Sequence, residues 1–274
     1  MSERETMKKT LFATLAFAAA LAAAGTASAH RQWLLPSMTV LSGENAWVSV
    51  DAAISNDLFV FEHMPMRLDN LTITGPDGAA VEAQNKFTGK YRSVFDVQLT
   101  RPGTYRVASV SGGMMVTYKQ GGEQKRWRGA PADAAANIPA DATEVKKTMT
   151  DRRVEAFLTS GAPTDTALKA TGKGLELVPV THPNDALAGE KATFGLLLDG
   201  KPAAGVEVTI EPGGTRFNDE RGEIKTTTDK DGKFSVTWPK AGFYWLEATV
   251  RSAAGSDGIE RNAGYVATFE VLKD

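Results

Sequence analysis

The chain has 274 residues, no cysteine and a formal net charge of −2, a length that suggests one to three domains. The absence of thiols excludes a cysteine nucleophile, a cysteine-ligated metal and disulfide staples. The nearly balanced charge lacks the basic excess of a nucleic-acid-binding protein.

In chain order, residues 1–29 read as a secretory signal peptide. Lys8 and Lys9 form a positive n-region, Leu11 to Ala24 an apolar h-region, and Ala27-Ser28-Ala29 a small-x-small cleavage site. Cleavage after Ala29 is expected to release a periplasmic chain that begins at His30. The h-region is shorter than the roughly 20 apolar residues of a spanning helix, and no cysteine follows to carry a lipid, so the mature form is expected to have no membrane anchor.

The rest reads as mostly β. Gly43-Glu44-Asn45-Ala46 opens an alternating run from Trp47 to Asp51, and Gly189-Glu190-Lys191-Ala192 opens a similar one from Thr193 to Leu198. Further on, Gly103-Thr104-Tyr105 is matched by Gly242-Phe243-Tyr244. Two copies of one architecture explain the repeated order. A Gly turn feeding a Tyr-initiated strand is a mark of immunoglobulin-like sandwiches, where the Tyr hydroxyl ties a corner to the backbone. The expected fold is therefore two immunoglobulin-like or transthyretin-like β-sandwich domains, over 30–118 and 173–274. Residues 119–172 are expected to connect them through a loop and one helix, the helix running from Asp141 to Ser160 with apolar residues at Val145, Met149, Val154 and Phe157. Lys125-Arg126-Trp127-Arg128 reads as a solvated loop, and Asp229-Lys230-Asp231-Gly232 as a hairpin turn. The latter is no calcium loop, because Trp238 stands where the bidentate Glu belongs.

No serine-hydrolase elbow, phosphate-binding loop or zinc-protease pair is present, so the expectation is a protein that is not an enzyme. The three histidines carry the chemistry. His30, once exposed by cleavage, holds an α-amine beside its imidazole, and the two nitrogens can chelate one ion. Such donors suit nickel, cobalt, copper and zinc. His63 sits in Phe61-Glu62-His63-Met64-Pro65-Met66, which combines imidazole, carboxylate and two thioethers. His182, before Pro183, is the third candidate ligand and can join the others only by facing the first domain.

The start His30-Arg31-Gln32-Trp33-Leu34-Leu35-Pro36 resembles that of the periplasmic domain-of-unknown-function family 4198, often labelled as a cobalt or nickel transport component. The likeness continues through Leu175-Glu176-Leu177-Val178-Pro179-Val180, His182-Pro183, Leu197 to Pro202, Thr228 to Gly232 and Ala241 to Trp245. The last parts are also similar to transthyretin-like and carboxypeptidase-regulatory-like sandwiches. The resemblance implies handling of a divalent transition metal outside the inner membrane, with His30 and His63 as ligands and a membrane transporter component as transient partner. Two other readings follow from the residues. One is a copper carrier or copper-dependent redox enzyme, to which Met64 and Met66 would contribute. The other is a sandwich that binds proteins or glycans without metal.

Overall fold

Strict alternation sets the first sheet. Along Ser93–Leu99 every second residue is buried, the pattern of a strand with one face on a core. In the computed structural model, which describes residues 30–273 apart from Glu44 and Asp219, this strand (β8) belongs to a five-stranded sheet. Its order is β1 (Arg31–Pro36), β3 (Ala46–Ser55), β8, β7 (Gln84–Thr88), with β4 (Met64–Pro65) beside β3. The expected signal peptide lies outside the described residues.

A ten-stranded sheet forms the middle of the molecule. It runs β16 (Ile224–Thr227), β15 (Glu207–Pro212), β18 (Gly242–Ser252), β19 (Ile259–Val271), β11 (Thr143–Ser160), β9 (Gly103–Gln120), β5 (Leu71–Thr74), β6 (Ala80–Val81). Strand β10 (Glu123–Gly129) adds to β9, and β2 (Val40–Leu41) to β11. A third sheet holds β12 (Leu175–Pro179), β13 (Lys191–Leu198), β14 (Lys201–Pro202) and β17 (Lys233–Thr237).

The middle sheet is covered on both faces. From β19, Tyr265, Ala267 and Phe269 enter a core shared with Phe194, Leu196 and Trp238. Val266 of the same strand enters the other core, with Trp33, Val48 and Phe95. Strand β11 divides likewise, Phe157 going to one side and Val154, Ala156 and Leu158 to the other. The architecture is thus three β-layers with two cores, and the two sandwiches share their inner sheet.

Strand β11 replaces the helix expected over 141–160. Its Thr143, Val145, Thr148, Thr150, Val154 and Thr159 are β-branched and favour extended backbone. Its last eight residues are all buried. Burial on both faces erases the period-2 signal that would have marked a strand, so the spacing of its apolar residues mimics a helix. Asp141 caps nothing and instead accepts a hydrogen bond from Gln120 Nε2 at 3.1 Å. The helical parts of the connector are single turns, α-helical at Ala134–Asn137 and 3-10 at Pro131–Asp133 and Thr166–Leu168. The basic run expected as a loop is β10, with Trp127 partly buried against Met114, Val116 and Tyr118. The 229–232 turn forms as expected, with Asp229 Oδ1 accepting from the Asp231 and Lys233 amides. It is not a hairpin, however, because the strands it joins belong to different sheets.

The repeated Gly-x-Tyr motif makes two equivalent corners. Tyr105 Oη donates to the Arg101 carbonyl and accepts from the Arg101 amide, both at 2.9 Å. Tyr244 Oη donates to the Lys240 carbonyl at 2.9 Å and accepts from its amide at 3.3 Å. Each Tyr follows by two residues a glycine with positive φ, +123° at Gly103 and +139° at Gly242, where a side chain would be strained. Among the described residues no helix is long and apolar enough to cross a membrane.

Tyr105→Phe and Tyr244→Phe are each expected to lower stability by about 1–3 kcal/mol, since each strands a backbone donor and acceptor. The two losses should add in urea unfolding, because the tyrosines belong to different cores and share no partner.

Candidate functional site

The first strand is held at its first residue by charge. Arg31 Nη2 donates to Glu211 Oε2 of β15 at 2.8 Å, with the side chains 8% and 1% exposed. Arg31 Nη1 donates to the Asn56 carbonyl at 2.6 Å. The guanidinium lies 5.7 Å from the Trp245 ring centroid, and Trp245 Nε1 donates to the Gln32 carbonyl at 2.9 Å. Two charges are therefore taken out of water directly after His30. Burial, the largest influence, pushes the Glu211 carboxyl above its ordinary range, and the attraction of Arg31 offsets this only in part. Beside the pair, Arg31 Nε and Ser55 Oγ are buried with no hydrogen-bond partner among the described residues. Arg31 is opposite Ser55 in the β1–β3 register. This end of the sheet keeps unspent polar groups where an apolar pairing would be more stable.

His63 is the residue before β4, in a bend, and is exposed. Met64 pairs with Ile54 of β3, so Arg31 and His63 flank β3 at the same end of the first sheet. The two thioethers separate: Met66 is 5% exposed in the core, whereas Met64 is 43% exposed. Glu62 uses Oε1 to accept from the Asp57 amide at 3.3 Å.

His182 is engaged through both ring nitrogens. Nδ1 accepts from the Asn184 amide at 3.2 Å, so the neutral ring carries its proton on Nε2, which donates to Thr104 Oγ1 at 3.0 Å. Thr104 Oγ1 then donates to Thr159 Oγ1 at 3.0 Å, and Thr159 Oγ1 donates to Asn184 Oδ1 at 2.8 Å. The hydrogen bonds close a directed ring that ties β9 and β11 to the connection between β12 and β13 of the third sheet. Among the described residues no three His, Asp or Glu side chains are grouped to hold a metal ion.

A second buried ionic cluster was not singled out from the sequence. Arg153 of β11 donates to Glu155 Oε1 at 3.1 Å and lies 3.3 Å from Glu176 Oε1 of β12. Tyr265 Oη donates to Glu155 Oε2 at 2.8 Å, and burial pushes this phenol well above its ordinary range. Burial raises the Glu176 carboxyl, but hydrogen bonds from Thr171 and the Gly172 amide, with the charge of Arg153, hold it below its usual range on balance. The signal available in the sequence was a carboxylate inside an apolar run, as in Val154-Glu155-Ala156 and Leu175-Glu176-Leu177.

Three β-layers, two tyrosine corners and a charge-anchored first strand define an all-β sandwich protein. The chain belongs to the family described as Domain of unknown function (DUF4198), whose model matches residues 27–252. Among solved structures, the D0-D1 domain of Intimin is 12% identical, covering 87% of this chain and 97% of that chain at a TM-score of 0.23. An ICAM-5 D1-D4 ectodomain fragment is 10% identical, covering 89% and 51%, at 0.22. E. coli alpha-2-macroglobulin is 10% identical, covering 90% and 14%, also at 0.22. No curated protein matches the chain.

The two buried carboxylates should show opposite pH signatures. The folded-state pKa of Glu176 is lowered, so its stabilisation is present above the ordinary carboxylate range and is lost as pH falls through the folded value. The stability gap between wild type and Glu176→Gln should therefore narrow on acidification. The folded-state pKa of Glu211 is raised, so its contribution is greatest below the ordinary carboxylate range and declines as pH rises through the folded value. Glu211→Gln should accordingly gain on wild type with rising pH. Urea midpoints from about pH 3 to 8 measure both. Separately, Arg31→Met is expected to cost about 3–5 kcal/mol by leaving Glu211 buried and unpaired, and Arg31→Met with Glu211→Leu should recover most of it.

Proposed function

We propose that the protein is a periplasmic metal-binding accessory that captures nickel or cobalt and passes it to a membrane transporter component. The amine and imidazole of His30 supply the chelating pair, and His63 supplies a further imidazole. The observation that supports this reading is the Arg31 anchor. A buried ion pair adds little net stability over an apolar pair, yet one is placed at the residue after His30, where it fixes the start of β1. His63 lies at that same end of the first sheet. His182, occupied by Asn184 and Thr104, serves the fold and is left out of the ligand set.

A second reading is a sandwich that binds a protein or glycan without metal. It is favoured by Trp47 and Phe87, 46% and 66% exposed, which both point to the solvent side of the first sheet.

Titration calorimetry of the chain processed to a free His30 amine tests the metal reading against Ni²⁺, Co²⁺ and Cu²⁺. One added residue before His30, or His63→Ala, should weaken binding by at least about tenfold, the loss of one ligand. His182→Ala should leave affinity unchanged while lowering stability by about 1–3 kcal/mol, through the broken hydrogen-bond ring. Affinities indifferent to both His30 extension and His63→Ala would transfer support to the second reading. Copper binding far tighter than the general affinity order allows, dependent on Met64, would instead favour a copper carrier.

A further inference from the structure

The strands of the middle sheet outrun the first sheet. On the face that Val154 and Val266 give to the first core, β11 and β19 continue outward through Arg152, Thr150 and Asn262 beyond the cover of β1. Register places Ser111, Arg152 and Gly264 in one cross-strand row, and Gly113, Thr150 and Asn262 in the next. With Gln32 of β1 and Arg128 of β10 on the flanks, Ser111, Gly113, Thr150, Arg152 and Asn262 line a cleft of about 390 Å³, within the range of small-molecule sites.

Glycine permits close approach at the edge of the cleft. A Cβ at Gly264 would come within 3.3 Å of the Arg152 guanidinium, and one at Gly113 within 3.0 Å of the Gly129 carbonyl. Arg152 can therefore lie flat over β19. Its Nη1 donates to Glu247 Oε1 at 3.2 Å. Arg128 has no carboxylate within ion-pair distance among the described residues, and its one side-chain hydrogen bond among them is to Met115 Sδ at 3.8 Å. Asp151 also borders the cleft, but its Oδ2 accepts from Arg261 Nε at 2.9 Å. The local excess is positive. The side chains of Gln32, Ser111 and Asn262 form no hydrogen bond among the described residues.

We infer that this cleft binds a small hydroxylated carboxylate, of the acidic-sugar type. A guanidinium fork matches a carboxylate, while the two amides and the serine hydroxyl each offer a donor and an acceptor, as sugar hydroxyls require. A bare oxyanion would use the arginines and leave those neutral groups idle.

Titration of the full mature chain with glucuronate in EDTA separates this inference from metal binding. Glucuronate should bind, glucose and inorganic phosphate should each bind at least about tenfold more weakly, and Arg128→Met should weaken glucuronate by about tenfold, as expected for a lost charge-assisted hydrogen bond. Because Arg128 is exposed and nearly unpartnered, the variant should unfold at the wild-type temperature, so that lost binding does not reflect lost fold. Asn262→Ala provides a second variant and should weaken glucuronate more than phosphate. Absence of glucuronate binding, phosphate binding as tight as glucuronate, or affinity unchanged in Arg128→Met would each overturn the inference.

Discussion

The parallel pairing of β11 with β19, from Lys147 opposite Ile259 to Ala156 opposite Thr268, is the constraint on which the rest depends. It joins a strand from the middle of the chain to one from the end. Without it the ten-stranded sheet would fall into two smaller ones. With it, one layer serves two cores, so Val266 and Tyr265, neighbours in sequence, stabilise opposite halves of the molecule. Where both cores cover it, the layer has no face for water. That explains both the unbroken burial of the last eight residues of β11 and the run from Ala263 to Phe269 in β19, where all seven residues are buried.

A sheet buried on both faces makes ionic groups costly unless they are paired, and those in this structure lie where elements from different layers meet. Arg153 bridges Glu155 of the middle sheet and Glu176 of the third, while Arg31 bridges the first sheet to Glu211 of the middle one. Apolar side chains of equal size would stabilise these junctions as well. Charged ones specify them, because a shift of one residue along any of these strands would strand a buried charge. The polar ring through His182, Thr104, Thr159 and Asn184 acts the same way with neutral groups. Three networks at three junctions fix the registry that non-directional packing leaves open.

Much of the fold was legible in the sequence because it rests on local chemistry. Gly103-Thr104-Tyr105 and Gly242-Phe243-Tyr244 announced the two corners, and the alternation through Trp47 to Asp51 announced a half-buried strand. The part that was not legible depends on long-range pairing. Strand β11 shows no period of two because both of its faces are covered, and the 229–232 turn does not reveal that its flanking strands leave for different sheets. At the candidate site, His63 and Met64 are exposed, but the same hexapeptide sends Met66 into the core, and sequence spacing does not distinguish the two thioethers. His182 was legible as a histidine before proline. Its engagement depends on Thr104, 78 residues away, which no local pattern indicates. Arg31 stood inside the recognised opening motif, yet its partner Glu211 is 180 residues distant.

A mismatch of strand lengths creates the surfaces open to ligands. Strands β9 and β11 are both 18 residues long, and β1, which lies across the middle sheet, has six. The short strand seals the core beneath Trp33 and Leu34 and then ends, while the long strands continue with threonine, arginine and glycine in place of apolar side chains. The boundary of the first core is therefore also where polar groups become accessible. Arg31 marks that boundary from the side of β1, and Arg152 from the side of β11. One guanidinium is buried and turned to a carboxylate of the protein; the other is partly exposed at the cleft. The transition from packing to recognition thus follows from where β1 stops, and Arg31 fixes that point.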